Sequence, residues 1–287
     1  MFTLTILNDT FFDDDYYLAI TAQSHTFLTL VISFLLVSRV NTALTRYSAA
    51  RNSLSIMFRH SRELIQSACI FSSKHNNKGD DDVLAQEWRH ELVYRTLVLL
   101  RTAMAVIDYP TTKLPAWYVI ELNGRERDTI EKNIHIIHPD LQSWSAVHLF
   151  GSSSYEQRLW KESLRVPIRL AYLVRATVHS QDTRLTHPIP ACYEVRLHGF
   201  LDGFIKGYSS MRTFLTTPVP FPLVQMTKIV LFLYVFTIPF VLLADKSGTF
   251  AHVCAVLVMT YGFVGLEIVA IELDNPFGDD ENDFDHK

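Results

Sequence analysis

Little in this chain is suited to catalysis or cross-linking. It has three cysteines, Cys69, Cys192 and Cys254, among 287 residues. They are far apart and form no CxxC, so neither a disulfide framework nor a thiolate metal site is indicated. Ten glycines and 11 prolines are too few for collagen-like or low-complexity sequence. No GxxxxGK[ST], GxGxxG or GxSxG occurs, which leaves nucleotide-binding loops and nucleophile elbows without support. The run Glu87-Trp88-Arg89-His90-Glu91 has the letters of a zinc helix but not its HExxH spacing. His135 and His138 stand three apart ahead of Pro139, with no further ligand at the spacing a metal requires. His179 and His187 flank a loop. The chain is therefore not expected to be an enzyme. An excess of positive charge is lacking too. The net charge is -4, so no broad basic surface points to nucleic acid. No period-two alternation persists and no internal repeat is visible.

What the chain does have is segregated apolar residues. Mean hydropathy is only +0.12, yet residues 229–244 read IVLFLYVFTIPFVLLA without a charge. Lys228 stands at one end and Asp245-Lys246 at the other. A second run extends from Phe250 to Ile271, interrupted only by Glu267 near its end. A bilayer span takes about 20 residues, so two such runs joined by a short polar link read as a transmembrane hairpin. Both are apolar on all sides rather than along one stripe, which argues against a buried hairpin of a soluble protein.

A third run, residues 26–38 (TFLTLVISFLLVS), extends backwards to Tyr16 through a patch containing Gln23, Ser24 and His25. Polar residues tolerated in a span face a bundle or a watery cavity. Directly after it come Arg39, Arg46, Arg51, Arg59 and Arg62 against Glu63 alone. That excess marks the C-terminal end of this span as cytoplasmic. Residues 1–15 lack a basic n-region and do not resemble a signal peptide.

From these runs we expect an all-α chain of membrane helices plus a large cytoplasmic helical bundle. Its segments are a tail (1–15), a transmembrane helix (16–39), an extramembrane helical domain (40–216), a Pro-rich break with the hairpin (217–271) and an acidic tail (272–287). Within the middle domain, helices are predicted over Leu84–Asp108, Ser163–Ser180 and Tyr193–Thr216, with a polar loop over Ser73–Asp82.

Three segments carry a resemblance. Residues 38–51 (SRVNTALTRYSAAR) resemble the signature that follows the pore helix in the bestrophin family. Residues 217–222 (TPVPFP) are similar to that family's Pro-rich segment before a hairpin. Residues 272–283 (ELDNPFGDDEND) resemble its E-x-x-NPFG followed by acids. All three occur in the family's order, and the resemblance covers about residues 16–285. It implies a homopentameric, passive anion channel for chloride or another small inorganic anion, in a lipid bilayer, with one helix per subunit lining a hydrophobic neck. A non-conducting membrane scaffold with the same fold is the alternative.

Carried over by position, the neck residues are Leu30, Phe34 and Ser38, and Val219 matches a second, cytoplasmic constriction. The neck spacing i, i+4, i+8 places these three on one side of a helix, and a ring of apolar residues can gate by dewetting. On local sequence alone Leu30 and Phe34 are equally readable as packing residues. The family has an aromatic where this chain has Ser38, so a shorter neck, closed mainly by Leu30 and Phe34, is expected. Pro218, Pro220 and Pro222 disfavour helix at the residues before them and imply a break. Glu267 is read as a structural carboxylate paired with an arginine such as Arg46.

In animal bestrophins the acidic run helps to clasp Ca²⁺. Its carried-over candidates here are Asp280, Asp283 and the backbone carbonyl of Asn275, with oxygen donors of the kind that ion takes. Asn282 interrupts the run in the manner of the bacterial and plastid branch, where calcium gating is not expected, so a bound Ca²⁺ and a solvated acidic end stay open. That likeness tilts the expected location toward a thylakoid or other organellar membrane, otherwise the plasma membrane. The family's first span has no counterpart in the residues before Tyr16.

Overall fold

The computed structural model describes residues 22–73, 83–137, 156–217, 219–243, 249–274 and 276–277. The described residues form helices and turns and no strand. In order the helices are α1 (Ala22–Ser72), α2 (Val83–Thr112), a single 3₁₀ turn (Ala116–Tyr118), α3 (Gly124–Ile137), α4 (156–163), α5 (Val166–His179), α6 (Gln181–Arg184), α7 (Ala191–Thr216), α8 (Phe221–Leu243) and α9 (Thr249–Asp274). The all-α expectation holds.

The chain divides into two compact units. Unit 1 comprises Met1–Ala49 and Thr217–Pro276, and unit 2 comprises Ala50–Thr216 and Phe277–Lys287. Among the described residues three helices, α1, α8 and α9, are long and apolar enough to cross a membrane.

Unit 1 is built from the first part of α1 and the hairpin α8–α9. Ile32 and Leu36 of α1 pack with Leu231, Tyr234 and Ile238 of α8, flanked by Val256, Phe263 and Val264 of α9. The His25 ring stacks on Tyr234 at 4.8 Å, and Phe263 meets that tyrosine edge-on at 4.9 Å. Such aromatic pairs add about 0.5–1.5 kcal/mol beyond the area they bury. Pro222 lies in the first turn of α8, where an amide hydrogen has no helical partner to lose. The carbonyl of Pro220 accepts the Leu223 amide at 3.1 Å and so starts the helix.

Unit 2 holds the larger core. Trp88, Leu92, Leu99, Ala103 and Ile107 of α2 share a core with Leu170, Val174 and Val178 of α5, which packs in turn on α7. The fully buried Trp88 donates its indole N–H to the Thr177 carbonyl at 2.8 Å. Tyr208 of α7 donates to the Leu164 carbonyl at 2.8 Å, and burial pushes its phenol well above the ordinary tyrosine range. Where α7 crosses α1, glycine is needed for close approach. A Cβ on Gly203 would meet the His60 ring at 2.5 Å, and one on Gly207 would meet Ile56 Cγ2 at 2.9 Å and the Ser53 carbonyl at 3.2 Å.

Two boundaries differ from the sequence expectation. α2 continues through Pro110 to Thr112 instead of stopping at Asp108. A proline within the final turn forfeits a single hydrogen bond, and the end is sealed by Lys113, whose amide donates to the Tyr109 carbonyl at 2.9 Å and whose φ of 57° turns the following chain off the helix axis. The segment predicted as one helix over Ser163–Ser180 is broken by a turn at 164–165 just before Pro167, so α5 begins at Val166. A proline disfavours helix in the residue before it but suits the first turn of a new one.

Candidate ion pathway

The first part of α1 has two unlike sides. Ile32, Leu36 and Ala43 are fully buried in unit 1, whereas Leu30 is 67% exposed and Phe34 72% exposed. Phe27 and Val37 share that exposure. Positions 27, 30, 34 and 37 recur at alternating steps of three and four, which keeps them on one helix face. Ser38 is half-buried at the margin of this face. Phe27 and Val37 were legible from the same three-and-four periodicity, which an i, i+4, i+8 series does not follow.

The hydroxyls here are turned inward on the helix. Thr29 Oγ1 donates to the His25 carbonyl at 2.8 Å, Ser33 Oγ to Thr29 at 2.7 Å and Thr42 Oγ1 to Ser38 at 2.8 Å. This i−4 bonding is how a hydroxyl finds a partner inside an apolar stretch.

Past the apolar stretch, unit 1 contains a buried polar cluster. Arg39, 2% exposed, forms an ion pair and hydrogen bond with Asp274 at the end of α9. Glu267, two turns earlier on α9, is 5% exposed, and neither of its carboxylate oxygens has a hydrogen-bond partner. Arg39 Nε and Nη1 and Asp274 Oδ1 are likewise buried without one. The expected bond between Glu267 and Arg46 is thus not formed. Arg46 instead donates to the Thr217 carbonyl at 2.9 Å. Arg46 is anchored to the segment preceding α8, while Arg39 occupies the same neighbourhood as the two carboxylates. The partner of Arg39 lies 235 residues away, so no local pattern around the arginine marks the pairing.

Of the Pro-rich segment, Val219 is half-buried and Pro220 exposed. Pro218, Asn275, Asp280 and Asp283 lie outside the described residues, as does residue 16 to 21 of the expected first span. Among the described residues, no group of three or more His, Cys, Asp and Glu could hold a metal ion.

Unit 2 adds charged pairs, largely at its surface. Arg101 Nε bonds Glu121 Oε1 at 3.0 Å, and Arg184 and Arg95 both pair with Glu91. The Glu121 carboxyl is held below the ordinary range by backbone hydrogen bonding and by Arg101. Tyr94 donates to the Glu121 carbonyl at 2.9 Å, and partial burial pushes its phenol upward. The His60 imidazole, set in the Gly203 notch and 6.3 Å from the Phe200 ring, is lowered by burial and by the adjacent Arg59, with Glu63 opposing.

An all-α chain with three bilayer-length apolar helices defines a membrane protein. The family described as Bacterial/Fungal Bestrophin protein matches residues 2–286, and the chain belongs to that family. Solved structures agree in fold. One point variant of a bacterial bestrophin homolog from Klebsiella pneumoniae superposes with a TM-score of 0.71 at 15% identity, covering 99% of this chain and 88% of that one. A second variant gives 0.69 at 14% identity, covering 99% and 87%. A structure described only as a membrane protein gives 0.72 at 14% identity, covering 99% and 88%. No curated protein matches the chain.

Proposed function

We propose that this chain is a passive channel for chloride or a similar small anion, assembled as a homopentamer around a pore lined by α1. Family membership supports the reading. The observation that carries it is the row of large apolar side chains, Phe27, Leu30, Phe34 and Val37, left exposed on a spanning helix whose opposite side is packed. Five such rows facing one axis would form a constriction that water leaves readily, and an apolar ring opens and closes conduction by wetting and dewetting. Leu30, Phe34 and Ser38 are the neck positions in this reading, and Val219 forms the second constriction. Such a neck carries no fixed charge.

Chloride efflux from liposomes containing the purified chain tests the reading. Wild-type protein should conduct, and Phe34→Ala should raise the flux by widening the neck. Absence of flux from both proteins would favour the non-conducting scaffold.

Ca²⁺ at Asn275, Asp280 and Asp283 is a separable proposal, tested by whether EDTA changes the flux. The family description names bacterial and fungal proteins, and neither group has plastids, so the thylakoid expectation draws no support from it.

A further inference from the structure

We propose that unit 2 carries a binding site for an amphiphilic organic anion, a carboxylate or phosphate monoester on a hydrocarbon body, in the groove between α1 and α2 lined by Arg59 and Arg62. The proposal goes beyond the channel reading and does not depend on conduction.

The groove has a volume of about 720 Å³, large enough for a small ligand. Its composition is two-sided. Ser55, Arg59, Arg62 and Gln66 of α1 all line it and are exposed. At about 100° per residue they fall within a strip of some 60° on one helix face. Phe58 from α1 and Leu97 and Leu100 from α2 supply the other wall. Phe58 and Leu97 are 42% and 49% exposed, so this wall is apolar surface left open to solvent.

Neither arginine forms an ion pair with a described residue. Glu63, the single acid on α1, stands four residues after Arg59, the usual spacing for a helical pair, yet no ion pair forms. Two guanidinium groups one turn apart therefore face a groove with their donors unengaged. Guanidinium forks match carboxylate and phosphate oxygens in geometry and in charge. A bare inorganic anion would meet the arginines but leave the apolar wall wet. A neutral hydrocarbon would cover the wall but leave the guanidinium groups without a counter-charge. Only a molecule with both parts complements the whole groove. A soluble amphiphile and an anionic lipid headgroup share this chemistry.

Octyl phosphate is the direct probe, with inorganic phosphate and octanol as its two halves. Binding is measured by calorimetry on the full chain in nanodiscs of zwitterionic lipid, with empty discs subtracted. Octyl phosphate should bind saturably, at least tenfold tighter than either half. The double variant Arg59→Gln/Arg62→Gln should lose at least tenfold in affinity. Leu97→Glu, which places a negative charge on the apolar wall, should lose a similar factor. Retained helicity and oligomer size would show that these surface changes leave the fold intact. If phosphatidic acid in the disc competes with octyl phosphate, the lipid is the natural source; if it does not compete, a soluble amphiphile is. Either result supports the site. Three outcomes overturn it: equal affinity of wild type and the double variant, octanol or inorganic phosphate binding as tightly as octyl phosphate, or Leu97→Glu breaking the oligomer without changing octyl phosphate binding, which would mean that a second copy of the chain covers the groove.

Discussion

Exchanging Arg39 for methionine tests whether a single guanidinium balances both the buried Glu267 and the partly exposed Asp274 of unit 1. Methionine keeps much of the apolar stem and removes the charge. Asp274 then loses its ion pair, and Glu267 loses the field of the neighbouring cation. Removing one partner of a buried pair costs about 3–5 kcal/mol, because the other charge stays behind unpaired. Asp274 is 21% exposed and water will reach part of it, which places the expected loss near the lower end, about 3 kcal/mol. Glu267→Gln is the second arm. Neither Glu267 oxygen accepts a hydrogen bond, so this change forfeits none and should cost less than about 1 kcal/mol in the wild-type background. In the Arg39→Met background it removes one of two stranded charges and should recover about 1–2 kcal/mol, giving a clear coupling in the double-variant cycle. Denaturant unfolding of the full chain in detergent micelles, followed by far-ultraviolet circular dichroism, supplies all four stabilities. The reasoning fails if Glu267→Gln alone costs about 3 kcal/mol or more, or if the two changes are simply additive.

The remaining expectations use the same chain. Gly207→Ala gains about 1 kcal/mol of helix propensity but adds a Cβ against Ile56, Met57 and the Ser53 carbonyl, an overpacking worth about 1–3 kcal/mol. It should be less stable than Gly199→Ala, where a Cβ meets nothing within 4 Å, and equal melting temperatures for the two would refute the close α1–α7 seam. Because the folded His60 ring titrates below its unfolded value of about 6.5, its contribution to stability is complete above that pH and falls away as pH drops through it. The stability of His60→Phe should accordingly change less between pH 7 and pH 5 than that of wild type. Ser38→Phe should lower single-channel current by extending the apolar neck, and an unchanged current would show that residue 38 does not face the pore.

The three apolar runs were plain in the sequence because spanning helices are apolar on every side. The length of α1 was not. Beyond Arg39 its buried apolar positions are Ala43, Ala50, Leu54, Met57, Leu64 and Ala68. Small residues at half of these places, set among arginines, dilute the helical period. The start of α8 at Phe221 was hidden by Pro222, which stops a helix from within but suits its first turn. Leu30 and Phe34 were found through their place in a motif, and their exposure was not readable from that motif. Arg39 and Glu267 are each visible as a charge beside or inside an apolar run, but which arginine meets which acid depends on contacts between distant segments. No local pattern records those contacts.

The inward-turned hydroxyls of α1 bear on the fate of a hydration shell. Thr29, Ser33 and Thr42 each direct their proton to a carbonyl one turn back. What they still offer outward is lone pairs, and lone pairs do not solvate an anion. An anion moving past these three residues would find none of their protons to replace the waters it sheds, which leaves Ser38 as the neck position with a hydroxyl to donate. The ease of passage would then follow how loosely each anion holds its own water, with large, weakly hydrated ions favoured over small, strongly hydrated ones.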